Sequence, residues 1–509
     1  MINNLKLTNL KINNIKNVVA GEIDLTVKNN INNVLGIYGQ NGSGKTAVVD
    51  VLELFKHLVN GDHLPDYSAD LITTNAKFGA VEIQFLISDT ESNTDYQLTY
   101  YFEIEKSKKQ KEKNASPFLI AREANSHTRQ DKKRAIIRKE QISIKNLTKN
   151  TRIKTPIVFD RTAQEDFKFL KISPAPSFKK NIHFITDILF SKKTAEHDSK
   201  SFLFLSETIQ TLSGLCTDEV NGSNSKSAEP SETDMATLQE IFKTLLYFKQ
   251  IAGRIIISSN SRNGFLFSNL ALPLNFIFED IENNFSQNIE IALPIKSSKV
   301  INQTQYTLAL NILDSINIVL PLIIPNLQVK IKVLNEELLE NGDTGKRIVL
   351  TAKRGDHQIP FYGESDGIKK IVSILAGIIQ IYNNSNAIFV VDEIDSGIFE
   401  FLLGELMELI SENASGQLIF TSHNLRALEV LDYKSIIFTT TNPQKRYLKA
   451  KNIKESNNLR SAYIRGVQLD TFAEPLYKSA NLSRIKLAFI KSNKLAQLAL
   501  KNDLTNSKK

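Results

Sequence analysis

Alternating hydrophobic and polar side chains mark several strands in the first third of the chain. The alternation predicts two strands within residues 2–30 and antiparallel strands between Phe78 and Lys106, followed by another strand from Ala135 to Ile144. The charged run Lys106–Lys113 fits either a solvated hairpin end or a basic loop that faces DNA. We therefore expect an antiparallel β subdomain in this part of the chain.

The hydrophobic spacing becomes helical from about Ala163 to Val300, and residues 303–340 continue it with breaks at Pro321 and Pro325. Within this stretch Thr217–Asp234 is rich in Ser, Glu, Asn and Gly, which predicts a mobile loop. Because no heptads with charged flanks are sustained here, we expect a compact helical lobe and not a long coiled coil.

Short apolar runs return in the last third of the chain. A hairpin over residues 346–361 is followed by an apolar helix that begins near Ile371. Three buried strands are predicted at residues 387–391, 417–421 and 434–439.

A further buried strand, Val34–Ile37, leads directly into a phosphate-binding loop. The residues match G-x-x-x-x-G-K-[ST] and are Gly39, Gln40, Asn41, Gly42, Ser43, Gly44, Lys45 and Thr46. The glycines let backbone N–H groups surround phosphate oxygens, Lys45 supplies a charge for the β- and γ-phosphates, and the Thr46 hydroxyl can ligate Mg²⁺. The residues that follow have helical apolar spacing, so the loop is predicted to lie at a helix N-terminus, which favours anions.

Two adjacent carboxylates, Asp392 and Glu393, follow the predicted strand at residues 387–391. In this arrangement Asp392 would hold Mg²⁺, and Glu393 would orient or deprotonate an attacking water. A buried strand that ends in a solvated acidic turn has the same pattern. The order of the motifs along the chain favours the catalytic interpretation.

A histidine, His423, follows the predicted strand at residues 417–421. Beside Asp392 and Glu393, its imidazole could hydrogen-bond a γ-phosphate oxygen, although a lone histidine is often structural. Upstream, Ser365 and Gly367 lie where an apolar helix would begin, and together they offer a capping hydroxyl and exposed N–H groups.

These motifs resemble the ABC-type ATPase heads, in which a Ser and a Gly at a helix N-terminus contact the γ-phosphate bound to the other protomer. The signature reads ESDGIKK here rather than LSGGQ. It is similar to the variant in a bacterial group of ABC-like, AAA-type ATPases. That group includes the overcoming-lysogenization-defect family and the ATPase subunits of the Septu and PARIS phage-defence systems.

Other stretches carry the same resemblance. The run Asp392–Phe399 is similar to the Walker B motif and D-loop of that group, with Phe399 where a His is usual, and Phe420–Asn424 resembles its switch-histidine motif. The ending Tyr463–Gly466 followed by Pro475 matches more loosely. The similarity covers roughly residues 1–90 and 345–470.

The resemblance implies an α/β fold: an ABC-type P-loop ATPase head, with a mixed sheet and an antiparallel β subdomain, and a helical insertion between its two halves. We expect an N-terminal half at 1–160, a mainly helical insertion at 161–340, a C-terminal half at 341–442 and a basic segment at 443–509.

The same resemblance implies ATP and Mg²⁺ as cofactors and a homo-oligomer that contains at least a head-to-head dimer. It assigns catalytic roles to Glu393, Lys45 and His423. It also implies that Asp395 contacts the nucleotide, and that the signature residues of a second subunit complete the site.

The composition, 41% hydrophobic and 23% charged over 509 residues, is typical of a soluble globular protein with two or more cores. No apolar run approaches the roughly 18 residues that cross a bilayer, and Asn and Lys stand where a signal peptide would need its apolar centre. We expect a cytoplasmic protein without membrane contact. The single cysteine, Cys216, excludes an internal disulfide framework and a thiolate zinc cluster.

The net charge of +8 is concentrated at the C-terminal end, where the residues from Lys445 onward include 15 Lys and Arg against 4 Asp and Glu. This segment could contact nucleic acid or an acidic protein partner. A solvated helical surface has the same composition.

Three functions fit these observations. The first is a nucleotide-switched ATPase subunit of a phage-defence complex that controls a separate effector protein, because no nuclease motif or Toprim-like acidic constellation follows His423. The second is a DNA-associated ATPase of recombination or repair. The third, the nucleotide-binding subunit of a transporter, is disfavoured by the absence of LSGGQ and by the large insertion.

Overall fold

Twenty-one strands were assigned in the computed structural model, which describes residues 2–27, 30–107, 134–163, 168–177, 182–215, 231–259, 271–280, 285–339, 341–449, 459–469, 472–478 and 481–492. In chain order the strands are β1 (Ile2–Ile15), β2 (Val18–Asp24), β3 (Thr26–Val27), β4 (Asn30–Ile31), β5 (Val34–Tyr38), β6 (Phe78–Asp89), β7 (Thr94–Ser107), β8 (Arg134–Asn146), β9 (Lys154–Asp160), β10 (Leu170–Ile172), β11 (Ile255–Ser258), β12 (Ala271–Asp280), β13 (Phe285–Pro294), β14 (Lys299–Asn302), β15 (Leu327–Leu338), β16 (Thr344–Arg354), β17 (His357–Pro360), β18 (Ile388–Val391), β19 (Gln417–Ser422), β20 (Ile436–Thr439) and β21 (Tyr447–Lys449).

The α-helices of the described residues are α1 (Lys45–Asn60), α2 (Ile182–Asp198), α3 (Ser206–Gly214), α4 (Glu232–Ala252), α5 (Gln303–Ile323), α6 (Asp366–Asn383), α7 (Glu400–Asn413), α8 (Ala427–Val430) and α9 (Leu459–Leu469). A further helix covers residues 482–492. Short 3₁₀ helices lie at Asp66–Leu71, Phe361–Gly363 and Tyr433–Ser435.

The central sheet has six strands in the order β11-β18-β19-β5-β20-β21, and all neighbours are parallel except the last pair. Its strands are apolar at nearly every position because both faces are covered. In β5, for example, Leu35 and Ile37 point into one hydrophobic core, the first core, while Val34 and Tyr38 point into another, the second core. The three buried strands predicted from apolar runs after residue 386 are confirmed as β18, β19 and β20.

A second sheet of seven antiparallel strands, in the order β10-β9-β8-β7-β6-β1-β2, shares the first core with helices α1 and α4. The predicted strands within residues 2–30, 78–106 and 135–144 are confirmed here. A buried amide joins the two sheets: Gln417 of β19 accepts a hydrogen bond from Leu7 N at 2.9 Å and donates one to Leu7 O at 3.1 Å.

A third, four-stranded antiparallel sheet is built from β14 to β17, and α5 packs on it. The helical prediction for residues 303–340 is therefore wrong beyond α5, because Leu327–Leu338 is a strand. Its apolar residues Leu327, Val329, Ile331 and Val333 have period two, which is the strand signal. Pro321 lies inside the last turn of α5 and does not break the helix before it.

The helical prediction for residues 163–300 is correct for α2, α3 and α4 but wrong for the four strands β10 to β13. One of these, β11, is the edge strand of the central sheet and pairs in parallel with β18. Another two, β12 and β13, form an antiparallel hairpin. The predicted loop at Thr217–Asp234 lies outside the described residues up to position 230, and Ser231 caps α4. The charged run Lys106–Lys113 also lies outside the described residues, except for its first two positions.

Helix α5 is the one helix among the described residues that is long and apolar enough to cross a membrane by length and composition. Its residues Ala309, Ile312, Leu313, Ile316 and Leu320 are buried in the second core. This stripe is what a helix packed on a sheet presents.

The predicted fold class is confirmed. The molecule is an α/β, P-loop protein in which a central mixed sheet and an antiparallel β subdomain enclose the helix that follows the phosphate-binding loop.

Candidate functional site

The phosphate-binding loop lies between the carboxyl end of β5 and the first turn of α1. Gly44 is the residue before the helix and has a φ of 94°, a left-handed conformation that favours glycine. A Cβ at this position would also lie 2.8 Å from Cγ2 of Val18. The turn between β1 and β2 therefore packs directly against the loop and requires a glycine there.

The side chain of Lys45 is folded back over its own loop. Its Nζ donates hydrogen bonds to the carbonyl oxygens of Gly39 at 2.8 Å and Gln40 at 3.1 Å. Burial lowers the pKa of Lys45 to about 8, although the nearby carboxylates of Asp392 and Glu393 act in the opposite direction. An anion brought into the loop would favour the charged form of this lysine.

Residues from distant parts of the chain hold the loop in place, and the sequence analysis did not identify them. Ser43 Oγ donates to the carbonyl of Gln40 at 2.7 Å and is also hydrogen-bonded to the hydroxyl of Thr439. The hydroxyl of Tyr447 donates to the carbonyl of Gly44 at 2.8 Å.

The C-terminal part of the chain also reaches the loop. The backbone N–H of Lys478 donates to Oε1 of Gln40 at 3.1 Å. Leu476, two residues earlier, is fully buried, and the carbonyl of Pro475 accepts from Thr441 N at 2.8 Å. The segment 472–478 is thus anchored beside the mouth of the loop.

Thr46 and the two carboxylates after β18 come together at the carboxyl edge of the central sheet. Thr46 Oγ1 donates to Oδ1 of buried Asp392 at 3.5 Å. Thr421 of the neighbouring strand β19 donates to the same oxygen at 2.6 Å and accepts from the N–H of Glu393 at 2.7 Å. The Thr421 hydroxyl, which sequence reasoning missed, therefore sets the position of both acidic residues.

Glu393 has an exposed side chain and a backbone in the left-handed region, with φ of 49°. A non-glycine residue is held in this region only when its surroundings fix it, and such residues cluster at functional sites. Here the Thr421 hydrogen bond and the Ile394 N–H bond to the carbonyl of Thr421, at 3.0 Å, fix the turn. The Glu393 carboxylate is consequently free of the sheet and directed to solvent.

Asp395 connects the turn after β18 to the histidine after β19. Its Oδ2 accepts from the N–H groups of His423 at 3.1 Å and Asn424 at 2.9 Å. Its Oδ1 is buried and has no hydrogen-bond partner among the described residues. Burial, and next the charge of Lys45, lower the pKa of His423, which favours a neutral imidazole that can donate one hydrogen bond.

Ser365 caps helix α6, where its side chain accepts from Ile368 N at 3.3 Å. The adjacent Gly367 packs against the backbone of Gly397 in the D-loop, and a Cβ at position 367 would overlap the carbonyl oxygen of Gly397. A glycine is thus needed at position 367 for packing within one chain, whatever it contacts in another. Among the described residues, no hydrogen bond joins Ser365 or Gly367 to the phosphate-binding loop.

The donor atoms in this site fit a magnesium nucleotide. No group of three or more His, Cys, Asp or Glu side chains that could hold a metal was found in the described part of the chain. The Thr46 hydroxyl and the Asp392 carboxylate are oxygen donors of the kind that Mg²⁺ takes together with phosphate oxygens and water. Asn41, Gly42 and Ser43 complete the loop whose N–H groups could surround the phosphates.

Comparison with known proteins gives one family match. A family profile described as AAA domain, putative AbiEii toxin, Type IV TA system matches residues 34–429. No curated protein matches the chain.

Several solved structures are similar over most of their length. The SMC head bound to the C-terminal winged-helix domain of ScpA has 12% identity and a TM-score of 0.38, and the match covers 87% of this chain and 98% of that chain. The SMC head domain from Thermotoga maritima has 13% identity and a TM-score of 0.34, and the match covers 88% of this chain and 99% of that chain. The recombination mediator protein RecF with ATP has 12% identity and a TM-score of 0.33, and the match covers 83% of this chain and 93% of that chain. At these low values the fold assignment rests on the topology described above.

Proposed function

Since the chain belongs to this family of AAA domains, we propose that it binds ATP with Mg²⁺, hydrolyses it to ADP and phosphate, and uses this cycle as a dimerisation switch. The observation that carries the proposal is the convergence of Thr46, Asp392 and Glu393 around the hydroxyl of Thr421. A hydroxyl and a carboxylate for the metal, with a second carboxylate for the water, are the groups that phosphoryl transfer to water needs.

Each residue has one role in this proposal. Lys45 and the N–H groups of residues 39–46 hold the triphosphate, and Thr46 and Asp392 hold the metal. Glu393 accepts the proton of the attacking water. His423 donates a hydrogen bond to the terminal phosphate, and Asp395 holds the backbone that carries this histidine.

The switch follows from the position of the signature helix. Ser365 and Asp366 at the start of α6 are exposed beside the D-loop, and within the described residues the N–H groups there are not hydrogen-bonded to the phosphate-binding loop of their own chain. A helix N-terminus favours an anion, so Ser365 and Gly367 of one head are proposed to bind the terminal phosphate on another. Loss of that phosphate removes the differential contact that keeps two heads together.

The switch predicts self-association that depends on the nucleotide. In sedimentation velocity, we expect the purified chain to be monomeric without nucleotide or with ADP, and dimeric with Mg²⁺ and a non-hydrolysable ATP analogue. The Lys45→Ala variant should stay monomeric in all three conditions. Equal association with ADP and with the ATP analogue would refute the switch.

The affinity for ATP is expected to fall as the pH rises above about 8. Burial places the pKa of Lys45 near this value in the free protein, whereas a bound triphosphate favours the charged amine. Above pH 8 binding must take up a proton, so the affinity falls by up to about tenfold per pH unit.

Isothermal titration between pH 7 and 9.5, in two buffers of different ionisation enthalpy, would measure both the affinity and the proton uptake. The Lys45→Arg variant keeps its charge over this range and should give a flat profile, even if it binds more weakly. A flat profile for the unmodified protein would show that Lys45 does not carry the dependence.

For the biological role we propose a sensor or regulatory ATPase subunit of an antiphage defence complex that controls a separate effector. Support comes from the resemblance of ESDGIKK and the D-loop to the Septu and PARIS group and from the words toxin and TA system in the family description. The alternative is a DNA-associated ATPase of recombination or repair, which the basic C-terminal segment favours.

Isolation of the tagged chain from its native host, before and after phage infection, separates these roles. A stoichiometric protein partner whose recovery changes on infection would support the defence role. Salt-sensitive DNA binding by the purified chain, without such a partner, would instead favour repair.

A further inference from the structure

Among the described residues, no hydrogen bond or ion pair joins the helix at residues 482–492 to any element before it. Every residue from 481 to 492 is exposed, including Leu482 at 78% and Phe489 at 73%. Its other large apolar side chains are also exposed and are Ile485, Leu487 and Ile490. An isolated helix of this length is marginal in water, and a soluble protein rarely leaves so many apolar side chains uncovered on one short element. This C-terminal helix therefore needs a surface to bind.

The C-terminal helix starts close to the mouth of the phosphate-binding loop. The hydrogen bond from Lys478 N to Gln40 Oε1 fixes the chain three residues before position 481, and three residues span at most about 11 Å. The helix thus begins on the side of the molecule where a second head is proposed to bind.

Helix α7, which follows the D-loop, presents a surface that complements it. Phe401, Glu405, Glu408, Leu409 and Glu412 are all exposed. Their spacing of three and four residues places them on one face of the helix. This face, the acidic face of α7, combines two apolar side chains with three carboxylates.

The charges on the two elements are opposite and uncompensated. Arg484, Lys486 and Lys491 lie on the C-terminal helix, and none of them forms an ion pair with another described residue. Nor does a described residue form an ion pair with the three carboxylates of the acidic face. Arg426 lies over the ring of Phe401, 5.0 Å from its centroid, and both Arg426 and Arg460 are ion-paired to Glu429.

We propose that the C-terminal helix of one copy of this chain docks on the acidic face of α7 of a second copy. The proposal rests on the ATP-dependent dimer proposed above and names a surface that holds it together. Two C-terminal helices would repel each other because both are basic, whereas the contact with α7 pairs opposite charges. A two-fold axis makes the contact twice, so each head gives one helix and receives one.

Charge reversal tests this contact. One variant carries Lys486→Glu and Lys491→Glu on the C-terminal helix, and the other carries Glu405→Lys and Glu408→Lys on α7. With Mg²⁺ and a non-hydrolysable ATP analogue, we expect each variant alone to dimerise at least about tenfold more weakly, because four attractive pairs per dimer become repulsive. The measurement is sedimentation equilibrium on the full chain.

An equimolar mixture of the two variants distinguishes contact between copies from contact within one. In the mixed dimer, reversed helix meets reversed α7 and native helix meets native α7, so the affinity should return to within about threefold of the unmodified protein. A chain that carries all four substitutions should also recover. The matched control, Lys330→Glu with Lys332→Glu on the exposed edge of β15, makes the same charge change and should leave dimerisation unaltered.

The other outcomes overturn the proposal in distinguishable ways. Recovery in the four-substitution chain without recovery in the mixture would mean that the helix binds its own α7. Unchanged dimerisation of both variants, with loss of binding to DNA or to vesicles of anionic lipid by the helix variant alone, would mean that the C-terminal helix serves that ligand instead. If the unmodified chain does not dimerise with the ATP analogue, the proposed switch itself fails.

Discussion

Replacing Glu393 with Gln is expected to lower the rate of ATP hydrolysis by about 10²–10³-fold and to leave the affinity for ATP nearly unchanged. Glutamine has the same length but cannot accept a proton from water. The backbone of Glu393 lies in the left-handed region and is held through its own N–H by Thr421. Since the substitution leaves that N–H in place, the turn and Asp392, the proposed metal ligand, should keep their positions.

Phosphate release measured at saturating ATP gives the rate, and fluorescent-nucleotide titration gives the affinity. A second readout should move in the opposite direction: the Glu393→Gln variant should accumulate as an ATP-bound dimer, because the step that separates the heads is blocked. Glu400→Gln, an exposed carboxylate on the first turn of α7, is the matched control and should hydrolyse ATP normally. Full turnover by Glu393→Gln would assign the base to another group.

Replacing Ser365 with Asp is expected to abolish most ATP hydrolysis while the monomer still binds nucleotide. Asp is as good a helix cap as Ser, so α6 should start at the same residue and keep the cap bond to Ile368 N. The added carboxylate would instead repel the terminal phosphate held by the partner. Ser365→Asn keeps the cap and the size without the charge, and it should lose much less activity.

Mixing this variant with a Lys45→Ala chain tests whether the sites are shared. Each protein alone should be inactive, because every site then lacks either its lysine or its signature serine. A mixed dimer has one intact site out of two, so activity should return on mixing and should reach up to about half of the normal value where every dimer is mixed, if the sites act independently. No recovery at concentrations where the proteins associate would place each site within one chain.

Much of the fold could be predicted because the strands of the central sheet are buried on both faces. Continuous apolar runs such as those of β18 and β19 are strong local signals, and the glycines and acidic residues that follow them have characteristic spacing. The close approach of Thr46 to Asp392 follows from the same logic, since the carboxyl ends of neighbouring parallel strands meet at one edge of a sheet.

The rest of the fold and of the site could not be predicted because it depends on pairing between segments far apart in the chain. Strand β11 is only four residues long and joins β18 more than a hundred residues later, so its own sequence did not distinguish it from a helix end. Strand β15 alternates clearly from Leu327 to Val333, but the apolar helix before it obscured the change of period. Thr421 looked like the last residue of a buried strand, and its two hydrogen bonds appear only when β18 lies beside it.

The hydrogen bond between Lys478 and Gln40 links the last part of the chain to the phosphate-binding loop. Tension on the residues beyond it, from any molecule that binds there, would reach the phosphate-binding loop through the Gln40 side chain and would reach Thr441, just after β20, through Pro475. The same hydrogen bond would also transmit a movement from the loop to the C-terminal part of the chain. A ligand that changes the shape of the loop would in turn move residues 472–478 through the same hydrogen bond.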